Sequence, residues 1–284
     1  MGIEIYYGWN VENLHSFCSN RSFILEALEM CGPPKRPKSI YIQDEHTLVL
    51  PGGRDIPLMS TMGSIKSRDK SCNYMVRLCS YEKAIQSDYI IDYAVPNVIN
   101  LRNSRFGSKL HSKVLYAPSI PSTFYAPTSM VERSHELITN YNDPFQSRRS
   151  LLVSRLKNLN LPVRNITGTI GEQANLQLYA DTKILINVHQ TDHHHTVEEF
   201  RILPALSQGC IVISEWCPLI CSLPYAPFVI WSDYDELPSK VNDVIKRYHY
   251  YYHKIHADGS LRSYLSWYRQ SALQILARKL RGGI

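Results

Sequence analysis

No stretch of the chain reaches the roughly 18–20 consecutive apolar residues that a membrane-spanning helix requires, so no span is expected. The opening MGIEIYYGWN has no basic segment followed by a long apolar run, the form of a secretory signal. Tyr6 stands where a myristoylation signal has Ser or Thr. No CxxC pair occurs among the seven cysteines (Cys18, Cys31, Cys72, Cys79, Cys210, Cys217 and Cys221), and their number is odd. Free, mostly buried thiols in a cytoplasm-like compartment are therefore expected. A zinc site on Cys217 and Cys221 lacks a second pair at ligand spacing. Without secretion, the acceptor-like triplets Asn20-Arg21-Ser22 and Asn165-Ile166-Thr167 carry no meaning. HExxH, Walker A and GxGxxG are all missing, which removes the usual support for a zinc protease, a P-loop enzyme or a nicotinamide dehydrogenase. There is no low-complexity tract and no internal repeat.

What remains is ordinary globular material. The 284 residues, 44% apolar and 20% charged, suffice for one large domain or two small ones, each with its own core. The formal charge of +6 suits a small anion such as a nucleoside diphosphate. It does not suit nucleic acid, because the basic residues are scattered rather than gathered into a patch. The densest groups, Lys35-Arg36-Pro37-Lys38 and Arg278-Lys279-Leu280-Arg281, read as solvated loop and tail charges. The 19 tyrosines can stack on sugars or bases, but mostly they fill cores.

Periodicity predicts an alternation of strands and helices. Gly2 to Tyr7 is a strand, Ser19-Asn20 caps a helix that stops at Gly32, and Ser39 to Gln43 is a second strand. Thr47 to Leu50 and Asp55 to Met59 read as a hairpin around Pro51-Gly52-Gly53-Arg54. Residues 60–73 read as a polar loop, Tyr74 to Gln86 as a helix and Ser87 to Tyr93 as a buried strand. A new strand starts at Lys113, and Pro118, Pro121 and Pro127 mark a linker. Helices are then expected over 147–158, 171–182, 196–208 and 237–252, and a long one over 261–280. Strands are expected over 161–166, 183–189, 210–214 and 228–231. Such alternation argues for mostly parallel sheets. The domains implied are residues 1–112, residues 113–262 and a C-terminal helix over 263–284 that returns to the first. Two α/β domains facing a cleft bind ligands at the carboxyl ends of their strands.

Chemistry concentrates in ILINVHQTDHHHTVEEFRILPALSQGCIVISE, residues 184–215. The expected order is strand, polar loop, helix, glycine, strand. Thr196 and Glu199 have the spacing of a capping box, so Glu199 reads as a cap. The helix start would then present free N–H groups to a phosphate, with His193, His194 and His195 adding donors. The His run also reads as a solvated loop or an adventitious metal site. Glu198 and Arg201 share a helix face. A carboxylate there suits ribose hydroxyls and an arginine suits phosphate, although the pair also reads as a surface ion pair. Gly209 closes the helix, and Ser214-Glu215 end the next strand at the cleft edge.

That strand, His loop, Glu-bearing helix and Gly-strand-Ser-Glu run resembles the donor half of GT-B glycosyltransferases, the exostosin-like ones included, over residues 145–255. The segment DYIIDYAVPNVINLRNS, residues 88–104, resembles the last N-terminal strand of small members of the class. The whole chain resembles the small capsid-glycan glycosyltransferases of chloroviruses, xylosyltransferases among them. The resemblance implies two Rossmann-like α/β/α domains and a UDP-sugar donor, namely UDP-xylose. It further implies an inverting transfer to a fucose-containing oligosaccharide, with no cofactor required. Glu198 would bind ribose, His195 and Arg201 would face the diphosphate, and Ser214 and Glu215 would line the donor. With His189 at the end of the preceding strand, His194 and Thr196, these make up the expected donor site. The N-terminal half is shorter than in many such enzymes.

An inverting transfer needs a base, expected from the N-terminal half. Asp69, in the 60–73 loop, is the first candidate and Asp44 the second. Asp55 reads as an exposed turn residue and Asp92 as a structural partner within a strand. Asp233-Tyr234-Asp235 spells a DxD but precedes a predicted helix, so it reads as helix-start chemistry. Two rival readings stand beside this one. The first is a metal-dependent GT-A enzyme using Asp233 and Asp235. The second is a non-catalytic carbohydrate- or nucleic-acid-binding protein.

Overall fold

The computed structural model describes residues 3–7, 21–32, 38–43, 47–52, 60–124, 133–141, 147–168 and 171–282. Strands and helices are numbered along the chain. Two parallel sheets organise it. The first runs β1 (Ile3–Tyr7), β2 (Lys38–Gln43), β6 (Tyr89–Asp92), β7 (Val114–Tyr116). Its central strands carry continuous buried apolar runs, Ile40-Tyr41-Ile42 and Ile90-Ile91, as strands covered on both faces must. On one face, α1 (Arg21–Cys31) and the last helix (Ser260–Arg281) lie side by side. There Phe23, Ile24, Leu273 and Leu276 pack on Ile40, Ile42 and Ile91. On the other face lie α2 (Tyr81–Gln86), α3 (Val95–Arg102) and α4 (Gly107–Leu110), packed on Tyr41, Ile90 and Val114.

The second sheet runs β12 (Ile230–Ser232), β11 (Ile211–Glu215), β10 (Thr182–Asn187), β8 (His135–Asn140), β9 (Val163–Ile166), again all parallel. Its helices include α5 (Arg148–Asn158), α6 (Glu172–Ala180), α7 (Glu199–Ser207) and α8 (Leu237–Lys246). From β8 the chain goes to β9 on one side and then to β10 on the other. This reversal opens a crevice at the carboxyl ends of β8 and β10, where open α/β sheets take their ligands. The architecture is thus two Rossmann-like α/β units facing each other. Among the described residues, no helix is long and apolar enough to cross a membrane.

Several expected elements need correction. The strand at Val114–Tyr116 pairs with β6 of the first sheet, so the first unit extends past Tyr116 instead of ending at residue 112. The 60–73 stretch is not a loop throughout: Thr61–Lys66 forms β4, paired antiparallel with β5 (Asn73–Val76). The expected helix at Tyr74 starts only at Tyr81, where Ser80 accepts from the Lys83 N–H. Tyr74, Val76 and Leu78 are all fully buried, a period of two that belongs to a strand. Gly63 makes room for Asn100, whose Oδ1 accepts from the Ser64 and Ile65 N–H groups at 3.0 and 3.2 Å. A Cβ on Gly63 would lie 2.0 Å from that oxygen. Leu48–Val49 forms β3, which pairs with β5; the other arm of the expected hairpin, Asp55 to Met59, lies outside the described residues. So do Ser19-Asn20 and Pro127. The central strand β8 was not expected at all.

Candidate functional site

The small antiparallel sheet reaches across to the second unit, and a cavity of about 310 Å³ lies between them. Its walls come from the 67–72 turn and Tyr74 of the first unit and from Arg148, His195, Glu215, Trp216 and Asp233 of the second. Such a volume suits a small ligand.

Helix α5 places the principal cation. Ser147 caps it, accepting from the Ser150 N–H at 3.1 Å. Arg148 and Arg149 follow on the first turn, about 100° apart around the axis, so they cannot face the same way. Arg148 turns to the cavity. Its guanidinium grips Glu215 through two hydrogen bonds of 2.6 and 2.5 Å and lies 3.7 Å from the centre of the Tyr234 ring. Its Nε reaches Asp192 at 2.5 Å. Burial alone would lower the Arg148 pKa, but Glu215 and Asp192 outweigh it and raise it. Burial would likewise raise that of Glu215, but His189, Arg148 and the His189 N–H hold it below the usual value. Both groups are therefore charged at neutral pH.

Arg149 turns inward. Its Nη2 donates to Glu198 at 2.8 Å, and Arg201 presses on the same carboxylate. This corrects the expected ribose role of Glu198, which is 0% exposed and is not in the cavity wall. It also corrects Arg201, a buried partner of Glu198 instead of a diphosphate ligand or a surface pair. Burial, then the nearby Arg149, brings the Arg201 pKa down to about 9.

The expected capping box does not form. Helix α7 begins at Glu199, and Thr196 lies before it in the seam between the units. The Thr196 hydroxyl accepts from the Leu48 N–H at 2.9 Å and donates to Asn97 Oδ1 at 3.2 Å. Glu199 is fully buried against the first unit. It accepts from the Tyr116 hydroxyl at 2.5 Å and the Val95 N–H at 3.2 Å. Burial pushes its pKa up to about 8. Nearby Asp92 is raised to about 7 by burial, against donors on Asn97, Ala94 and Thr47. Gly209 does follow α7, at a φ of +80° that favours glycine.

The His run is not a solvated loop. His193 O accepts from the Leu50 N–H at 2.8 Å, and the His195 N–H donates to Leu48 O at 3.1 Å, so the run docks along β3. His194 is buried there, away from the cavity wall. His195 reaches the cavity. Its Nε2 lies 3.0 Å from Asp192 O, a pure acceptor, so Nε2 carries the proton. Nδ1 then accepts from the Tyr74 hydroxyl at 2.6 Å. Burial, then His189, lowers the His195 pKa to about 4. His189 stacks beneath His195 at 5.0 Å and donates from Nε2 to Trp216 O. Ser214 is buried, accepting from Asn187 at 3.1 Å and donating to Glu215 O.

On the facing wall, the Asp69 carboxylate is already filled by Ser67 Oγ at 2.6 Å and by the N–H and hydroxyl of Ser71 at 3.0 and 2.8 Å. These donors hold its pKa down at about 2. That is far from the value a general base needs, so Asp69 reaches the cavity as a permanent anion. Asp44 and Asp55 lie outside the described residues. Asp92 is the buried structural partner already described. Asp233 pairs with Arg68, and Asp235 pairs with Arg155 at 3.2 Å, at the start of the short 3₁₀ turn before α8.

Of the expected donor residues, the structure brings His195 and Glu215 to the cavity, with His189 directly behind them. It buries His194, Thr196, Glu198, Arg201 and Ser214 around the seam and the second core. Arg148, Arg68, Tyr74 and Trp216 were not foreseen. A Ser-Arg-Arg helix start points to an anion only when it follows a strand at a switch point, and the sequence HELITN carries too few apolar residues to mark β8 as that strand.

No protein-family model matches the chain. A stretch of 115 residues, 39% of the chain, is 30% identical to the mimivirus "Uncharacterized protein R358" of Acanthamoeba polyphaga mimivirus. The match spans 40% of that relative's length. Among solved structures, the chain is similar to AviGT4, a glycosyltransferase involved in avilamycin A biosynthesis, over 97% of both chains at 10% identity and a TM-score of 0.42. It is also similar to sucrose-phosphate synthase from Thermosynechococcus elongatus, over 86% of this chain and 66% of that one, at 10% identity and a TM-score of 0.46. Similarity to the GtfA/B complex covers 98% of this chain and 57% of that one, at 9% identity and a TM-score of 0.45.

Proposed function

We propose that the chain is a nucleotide-sugar-dependent glycosyltransferase of the GT-B type whose donor diphosphate sits on Arg148. One observation carries this reading. A charged, largely buried guanidinium stands at the start of an 11-residue helix, at the switch point of a parallel sheet, and borders a cavity walled by a second α/β unit. The α5 N-terminus and Arg148 would neutralise the departing diphosphate without a metal. Glu215 and the His189–Trp216 contact hold Arg148 and His195 in place. His195, neutral and held at both ring nitrogens by Tyr74 and Asp192, lines the cavity without adding a charge. Asp69, permanently charged, would orient acceptor hydroxyls from the opposite wall. Asp44 stays the candidate base on sequence grounds. The finer reading is an inverting transfer of xylose from UDP-xylose to a fucose-containing oligosaccharide, in a cytoplasm-like compartment and with no nucleic-acid partner. It rests on the chlorovirus resemblance. A metal-dependent reading on Asp233 and Asp235 would first have to break both of their arginine pairs.

The test is calorimetric titration with UDP and GDP in EDTA, then in Mg²⁺ or Mn²⁺. Binding in EDTA is expected, with a loss of about tenfold to hundredfold in Arg148→Ala. Binding only with metal would move the site to the DxD, and no binding of either nucleotide would overturn the donor reading.

A further inference from the structure

An ion pair between the two units spans the mouth of the cavity. Arg68 stands on the turn between β4 and β5, and Asp233 starts the 3₁₀ turn before α8. The guanidinium of Arg68 also lies over the Trp216 ring, 4.8 Å from its centre. The two side chains are 58% and 46% exposed, so water competes for both and the pair itself adds little stability. The turn beneath Arg68 is much firmer. Asp69 ties it to Ser67 and Ser71, and Ser67 N donates to Cys72 O at 2.9 Å. A rigid turn therefore presents one cation over the cavity and leaves it on an easily displaced partner.

The opposite wall repeats the arrangement. Arg148 holds Glu215 firmly, but its Nε partner Asp192 is 82% exposed and equally displaceable. Two arginines from different units thus line one cavity, each with an exposed carboxylate in a place a more highly charged oxyanion can take. Phosphate oxygens match the guanidinium fork as well as a carboxylate does and carry more charge.

Resting on the donor reading above, we infer that Arg68 is a second diphosphate-binding residue. It exchanges Asp233 for the donor's phosphates and thereby ties the first unit to the second over the bound donor. Asp233 is a place-holding carboxylate that competes with the donor and sets how tightly it is held. Trp216 orients the guanidinium in both states.

Calorimetry with UDP, or with GDP if that nucleotide binds, and with the matching monophosphate tests this in EDTA. The proteins are the wild type, Arg68→Ala, Asp233→Asn, the double variant and Arg148→Ala. All the substituted side chains are partly exposed, and a thermal melt confirms that each variant folds. Arg68→Ala should weaken the diphosphate about tenfold and the monophosphate much less. Asp233→Asn should tighten the diphosphate, and that gain should vanish in the double variant. Wild-type affinity in Arg68→Ala, alongside a loss in Arg148→Ala, overturns the inference and leaves the donor reading standing. Weaker binding in Asp233→Asn also overturns it, because Asp233 would then serve the ligand directly. Absence of any nucleotide binding by the wild type overturns both.

Discussion

Arg148 and Arg149 are neighbours in the chain, and each meets a glutamate, yet the two clusters have opposite characters. Arg149 shares the fully buried Glu198 with Arg201, so two guanidinium groups surround one carboxylate out of reach of water. Arg148 meets Glu215 and Asp192 at the wall of a cavity. In the first cluster, charge cannot be exchanged without exposing a desolvated ion, so it serves the fold. In the second, solvent or a ligand can replace a partner, so it can serve chemistry. Residue type does not separate these roles; the roughly 100° step between adjacent helix positions does.

The sharpest way to break the comparison is Glu198→Ala. It strands two buried guanidinium groups and should cost about 3–5 kcal/mol in chemical denaturation. Destabilisation no larger than that of a surface variant would show that the cluster is hydrated and open to ligand after all. Arg148→Ala should cost less stability than Glu198→Ala, because Glu215 keeps the His189 N–H as a partner and borders the cavity, while nucleotide binding falls as predicted above.

Glu199 and Asp92 extend the comparison to the seam. Both are buried acids whose folded pKa values, about 8 and about 7, lie above their ordinary ones. The groups facing Glu199 are Tyr116, Tyr225, Tyr268, Cys217 and Asp92, with no cation among them. A raised acid pKa stabilises the fold through the protonated form. That contribution is complete below the unfolded value near 4.5 and is lost as pH rises toward about 8. The buried His195 and His256, lowered to about 4, act in the opposite sense up to the ordinary value of 6.5, so denaturation measured from pH 6.5 to 8.5 should show stability falling. Glu199→Gln should flatten the slope and leave only the share of Asp92, whereas an unchanged slope would refute the neutral-carboxyl seam. The smallest effect is expected from Asp235→Asn. Its pair with Arg155 is exposed on both sides, 40% and 89%, so stability should change by less than about 0.5 kcal/mol and nucleotide binding not at all. Loss of binding in that variant would favour the metal-dependent reading.

Much of the second unit was legible in advance. The helix near 147, the strands near 163, 183 and 211 and the long last helix all have strong periodic or capping signals. β8 was missed because His135-Glu136 open it and only Leu137 and Ile138 are apolar. β5 is not legible as a strand because Tyr74, Val76 and Leu78 alternate too briefly to be told from a helix start. The site was legible only in part. His195 and Glu215 were foreseen, but the residues grouped with them by sequence proximity, Thr196, Glu198 and Arg201, face elsewhere. Within a single turn, side chains diverge into the seam, the core and the cleft.

By itself, the sequence determined the alternation of strand and helix, the parallel sheets it requires and the concentration of polar chemistry between residues 184 and 215. Local periodicity and capping suffice for those. Which charges meet a ligand was decided by tertiary structure alone. Arg148 and Arg68 are 80 residues apart in the chain and converge only because β8 sits at a switch point and a small antiparallel sheet folds across to it. Electrostatic function depends on burial and on partners from distant segments, and neither quantity exists until the two units meet.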